Sequence, residues 1–221
     1  MSKPRLAVLI SGQGRNLQAI LDAVADGRIP AVAAGVISNR PEAAGLARAR
    51  AAQVPAQVVD HTRFADRAAF DAALGDALQA VQPDFVALAG FMRVLGDAFI
   101  RRFRGRLVNI HPSLLPKHRG LDTHRRVLEA GDAEHGASVH YVTEQLDGGP
   151  VAIQGRFSVR PQDDAQSLAE RVMQDIELKI YPQALAWMAR GELAYADGGV
   201  RFRGRPLVAP LTLADLEPEF R

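Results

Sequence analysis

Leu6-Ala7-Val8-Leu9-Ile10 runs without a break into Ser11-Gly12-Gln13-Gly14-Arg15-Asn16, and then Leu17, Ile20, Leu21 and Val24 recur at helical spacing. Five consecutive apolar residues read as a strand buried on both faces. The spacing i, i+3, i+4, i+7 reads as an amphipathic helix packed on that strand, and Gly27 is placed to end it. Strand, glycine loop and helix in this order open an α/β fold. The rhythm continues. Ala31 to Ile37 is a second apolar run, followed by Pro41 at the first turn of an alanine-rich helix. Ala56 to Val59 reads as a short strand, Phe64 to Val81 as a helix, and Phe85 to Ala89 as a strand after the break at Pro83-Asp84. Alternation of this kind predicts a doubly wound, mostly parallel sheet.

The second half differs. Arg106 to Ile110 reads as a strand ending in His111-Pro112, Thr123 to Ala130 as a short helix, and Ala137 to Thr143 as a strand. From Val151 to Val159 apolar and polar residues alternate, which predicts a strand with one wetter face. Asp164 to Ala189 reads as one long helix jointed at Pro182. Leu193 to Phe202 reads as a C-terminal hairpin turned at Asp197-Gly198-Gly199, and the tail from Leu211 carries no strong signal. No repeat or linker interrupts the chain, so one domain with two halves is expected, 1–105 and 106–221.

Composition narrows the function. The 221 residues are 48% apolar and 24% charged, which suits a globular chain with a full core. Lys and Arg number 27 against 25 Asp and Glu, and that balance is no nucleic-acid footprint. The longest apolar stretch, about Phe85 to Met92, is far short of the ~20 residues of a spanning helix, so no membrane partner and a cytoplasmic setting are expected. Cysteine is absent, so thiolate metal sites and cysteine nucleophiles are excluded.

Two places carry chemistry. Gly12-x-Gly14 lacks a third glycine at Leu17, and Ser38-Asn39 stand where a dinucleotide site needs an acid, so a nicotinamide cofactor is not expected. The loop reads equally as a phosphate cradle at a helix N-terminus or as a tight turn that needs glycine. The second place is His111, at the carboxyl end of an apolar strand where open α/β sheets bind ligands. Asn109 lies two residues earlier and shares its face. An amide donor beside an imidazole suits an oxyanion, and Asp147, in Leu146-Asp147-Gly148-Gly149-Pro150, would favour a charged imidazole. Taken singly, Asn109 reads better as a strand-edge amide, His111 as a core histidine and Asp147 as a turn residue. His118, His124, His135 and His140 form no helical pair of metal ligands, so no metal is expected.

Four stretches together resemble the phosphoribosylglycinamide formyltransferase family, the bacterial monofunctional form above all. They are Ile10 to Ile20, Leu88 to Arg93, Asn109-Ile110-His111-Pro112-Ser113-Leu114-Leu115-Pro116, and Leu146 to Pro150, and the likeness extends over roughly Leu6 to Trp187. The resemblance implies a Rossmann-like formyltransferase fold. It implies a catalytic trio of Asn109, His111 and Asp147, and a substrate phosphate at Gly12, Gly14, Arg15 and Asn16. Glu177 is implied to hold the glycinamide side. The folate pocket is implied at Arg67, Met92, Arg93, Val94, Leu95, Asn109 and His140, with His140 to Asp147 over the pterin. It also implies a cis bond before Pro116. Arg15 departs from the family's usual serine, and the alignment near Gln174 to Glu177 takes one extra residue. The implied reaction passes a formyl group from 10-formyltetrahydrofolate to the amine of glycinamide ribonucleotide, in a monomer or weak homodimer. A formyltetrahydrofolate hydrolase, a methionyl-tRNA formyltransferase and a non-catalytic nucleotide-binding module are the alternatives.

Overall fold

The computed structural model describes residues 2–221. Its central sheet has seven strands: β1 (Arg5–Ile10), β2 (Val32–Ser38), β3 (Ala56–Val58), β4 (Phe85–Leu88), β5 (Leu107–His111), β6 (Glu134–Tyr141) and β7 (Val151–Ser158), in the order β3-β2-β1-β4-β5-β6-β7. The first five run parallel, and β6 and β7 add in antiparallel fashion. The chain leaves β1 toward β2 on one side and later returns to β4 on the other. Loops after β1 and β4 therefore diverge and leave a crevice at their carboxyl ends.

Alternation along β1 builds two cores. Leu6, Val8 and Ile10 pack on one face with helices α1 (Arg15–Ala25), α2 (Gly45–Ala51) and α7 (Leu178–Ala189). Ala7 and Leu9 pack on the other with α3 (Arg67–Ala80) and α4 (Asp97–Arg102). Helices α5 (Thr123–Ala130) and α6 (Ala165–Arg171) flank the antiparallel edge. Strands β8 (Leu193–Ala196), β9 (Gly199–Phe202) and β10 (Arg205–Pro206) form a small second sheet. Its hairpin turns on Asp197 and Gly198, both at positive φ, as a two-residue loop requires.

Several expected boundaries move. The alanine-rich helix begins at Gly45, so Pro41 lies outside it; Gly45 N–H is taken by Gly12 O at 3.0 Å, which anchors the helix start to the glycine loop. The helix expected from Phe64 starts at Arg67, because Asp66 caps it through Ala69 N–H. The short helix α4 was not anticipated. The long helix is not one rod jointed at Pro182. It breaks earlier, in a π-turn at Val172–Glu177, and Pro182 sits inside α7. The tail is built in: Leu211 pairs with Ala152 and Gln154 along β7, and Phe220 is buried. Gly27, at φ 85°, ends α1 as expected.

Candidate active site

β5 brings Asn109 and His111 to the crevice, and the β6–β7 connection brings Asp147. The three meet. Nδ1 of His111 lies 3.5 Å from Oδ2 of Asp147. The other ring nitrogen, Nε2, lies 3.0 Å from the carbonyl oxygen of His118, which can only accept, so Nε2 carries a proton. A second proton on Nδ1 would face the carboxylate, so the charged ring has an acceptor at each nitrogen. Asp147 is held at φ 45°, and Gly120 N–H donates to its Oδ2 at 2.8 Å. Asn109 Nδ2 donates to Nε2 of His140 at 3.1 Å. His140 in turn donates from Nδ1 to the carbonyl of Tyr141 at 3.1 Å, which fixes its neutral tautomer. Burial holds His140 down at about 4, against the pull of Asp147, so it is uncharged near neutrality. One amide hydrogen of Asn109 is thereby occupied and the other is left for a ligand.

A cleft beside this trio is lined by Leu88, Phe91, Arg93, Val94, Leu95, Ile100, Asn109, His140 and Val142 to Asp147. Met92 stands at the surface, 63% exposed. Arg67 is not brought into this cleft. It lines a neighbouring one with Asp71, Gly96, Phe99 and Arg102.

The glycine loop lies at the other end of the crevice. Gly14 is the α1 N-cap at φ 73° and offers no side chain to the helix. A Cβ there would stand 2.8 Å from the Cα of Gly45, so only glycine fits. Asn16 Nδ2 donates to Glu177 at 2.6 Å, and Asn16 Oδ1 is buried without a partner. Burial pushes the Glu177 carboxyl up against the pull of Asn16 and Arg15. Gly12, Arg15 and Asn16 thus stay together, and Glu177 joins them from the π-turn. Ser11 was missed from the sequence. Its hydroxyl donates to Asn39 at 2.5 Å and accepts from Met92 N–H at 2.8 Å, tying the glycine loop to the loop after β4. Only its place beside Gly12 pointed to it.

Residues 4–185 match the family described as formyl transferase. The chain belongs to the formyl transferase family. Among its relatives, a phosphoribosylglycinamide formyltransferase of Haemophilus influenzae is 44% identical over 203 residues, 92% of this chain and 95% of that one. Another, of Escherichia coli, is 46% identical over 202 residues, 91% and 95%. A solved phosphoribosylglycinamide formyltransferase structure from Coxiella burnetii superposes with a TM-score of 0.90 at 45% identity, covering 96% of this chain and 99% of that one. Among the described residues, no helix of this formyl transferase is long and apolar enough to cross a membrane. The cis peptide the resemblance implied is present between Leu115 and Pro116.

This formyl transferase also holds the half-buried His124 against the buried His135. His124 Nδ1 lies 2.8 Å from His135 Nε2. Burial above all holds His135 down at about 4, and burial also lowers His124. His135 therefore folds neutral and must take up a proton on unfolding below about 6.5. Its contribution is complete above that value and is lost as pH falls through it toward 4. His135 alone accounts for a loss of about 2 kcal/mol between pH 7 and pH 5. Urea unfolding at the two pH values measures it, and His135→Phe flattens the slope. An equally steep slope in that variant would mean that other groups cause it.

Proposed function

We propose that this formyl transferase moves a formyl group from N10 of 10-formyltetrahydrofolate to the amine of glycinamide ribonucleotide. The products are N-formylglycinamide ribonucleotide and tetrahydrofolate, in purine synthesis in the cytoplasm. The observation that carries the reading is the approach of Asp147 to His111 and, through His140, to Asn109, between a glycine-loop helix start and a half-apolar cleft. The glycine loop, Asn16 included, would take the phosphate, with Glu177 toward the glycinamide. The cleft would take the pteridine. Each substrate is assigned groups from both halves of the chain, since Met92 to Leu95 precede residue 106 and Glu177 follows it.

The chemistry follows from the donors available. The neutral amine attacks the formyl carbon and negative charge gathers on the formyl oxygen. The free amide hydrogen of Asn109 and the Nδ1 proton of His111 stabilise it, at about 2.7–4 kcal/mol for a single donor of this kind. The 3.5 Å from Nδ1 to Asp147 is longer than a closed hydrogen bond, so that proton remains available to the oxyanion while the carboxylate supports the ring's charge. His140, neutral, sets the orientation of Asn109. Asp147 then positions a water that takes the proton from the nitrogen that attacked and returns one to N10 as the carbon–nitrogen bond breaks. Atoms balance without a covalent enzyme intermediate.

A formyl-transfer assay with purified protein, followed by folate absorbance, tests the reading. Turnover is expected with glycinamide ribonucleotide and not with water alone; formate release without acceptor would point instead to a hydrolase. Asn16→Ala is expected to raise KM for glycinamide ribonucleotide about tenfold, by loss of a buried polar partner. Equal KM values for the parent acting on the substrate and on its dephosphorylated analogue would remove the phosphate from the glycine loop.

A further inference from the structure

Arg15 is the charged side chain of the glycine loop, at the first position of α1. It does not hang free. Its Nη1 and Nη2 donate to both carboxylate oxygens of Glu170 on α6, at 2.8 and 2.7 Å. Glu170 also accepts from Gln174 Nε2 at 3.0 Å, and these partners hold its carboxyl well below the usual range. Seven residues further on, Glu177 reaches Asn16, the next residue along the loop. The α6–π-turn segment therefore faces the loop with two carboxyl groups. The other arginine at its base, Arg48, is spent on neutral acceptors, Gln13 O and the Gln18 side chain.

A loop that receives a phosphate dianion is poorly served by two neighbouring carboxylates. Arg15 answers this through one property of the guanidinium: its planar fork fits a carboxylate and a phosphate equally, with two parallel N–H donors. The Arg15–Glu170 pair is open to water, with side chains 36% and 55% exposed. Exposed pairs are weak, so exchange of partners costs little. We propose, resting on the function above, that Arg15 is a specificity-determining residue for the phosphate of the nucleotide substrate. In the free enzyme Glu170 keeps the guanidinium across the mouth of the glycine loop; the arriving phosphate takes it over, and Glu170 competes with the substrate for it.

The ordinary alternative is a surface pin between α1 and α6. The two differ in sign. A pin makes Arg15→Ser and Glu170→Gln alike, since each breaks the same bridge. Competition makes them opposite. Arg15→Ser should raise KM for glycinamide ribonucleotide about five- to tenfold, and Glu170→Gln should lower it about twofold, with the change falling on KM rather than kcat. The dephosphorylated analogue should respond to neither, and the salt dependence of KM should be shallower in Arg15→Ser. An unchanged KM in Arg15→Ser, or shifts of the same sign in both variants, overturns the proposal. Calorimetry with inorganic phosphate provides an arm that needs no turnover. Parent binding that is weakened in Arg15→Ser and strengthened in Glu170→Gln supports the exchange even if no formyl group is transferred, whereas equal binding in all three sinks it. Absence of transfer by the parent would count against the proposed function and not against Arg15.

Discussion

Asp147→Asn is expected to lower kcat by about 10³-fold while KM for glycinamide ribonucleotide stays within about threefold. Asparagine keeps the shape of the side chain, and its oxygen can still accept from Gly120 N–H, which now bonds Oδ2 at 2.8 Å. What disappears is the charge. His111 loses the carboxylate that stands 3.5 Å from Nδ1. In the proposed mechanism, the water that carries the proton between the two nitrogens loses its base. Both losses belong to the transition state, so the effect should fall on kcat. The phosphate groups are spared because the glycine loop is built on β1 and α1, away from the β6–β7 connection. Steady-state kinetics with both substrates varied would measure it. Turnover equal to the parent's would take Asp147 out of the mechanism.

Gly149→Ala is the second large effect, and it acts through the backbone. A Cβ at Gly149 would be driven into the carbonyl oxygen of Tyr141, with the Thr143 methyl also close. Tyr141 N–H is bonded to Pro150 O at 3.0 Å, so the two segments are already drawn together there. Backbone atoms of a paired strand cannot rotate aside as a side chain can. The β6–β7 connection must open, at an expected cost of about 3–5 kcal/mol, and Asp147, two residues upstream, moves with it. The neighbouring Gly148→Ala is the control. Its added carbon meets only the flexible side chain of Gln145, so a loss below about 1.5 kcal/mol is expected. Urea midpoints of the two variants compare the effects; equal stability would show that the loop has slack the geometry does not reveal.

The parts of the fold read correctly from sequence are those governed by local rules. Apolar runs located β1, β4 and β5, and the turn residues Asp197-Gly198 located the β8–β9 hairpin. The π-turn was not legible, since Val172 to Glu177 is as regular in composition as the helices on either side. Its one external sign was the extra residue in the alignment, in the segment where the helix widens. The start of α2 was misjudged because Pro41 is a good local signal, whereas Gly45 is chosen by a distant partner, Gly12 O. Of the site, Asn109 and His111 were legible as neighbours because two residues of a strand share a face.

By itself, the order of residues determined a parallel α/β sheet with a glycine loop after its first strand and a histidine at the end of its fifth. Hydrophobic periodicity and chain stiffness act between near neighbours and need no partner far along the chain. Only the tertiary structure decided that Asp147 faces His111, that Glu177 meets Asn16, that Arg15 is claimed by Glu170 and that His124 lies against the buried His135. These are contacts across 11 to 161 residues. Their energies depend on distance and on exclusion of water, which arise only once the sheet has closed and its loops lie side by side.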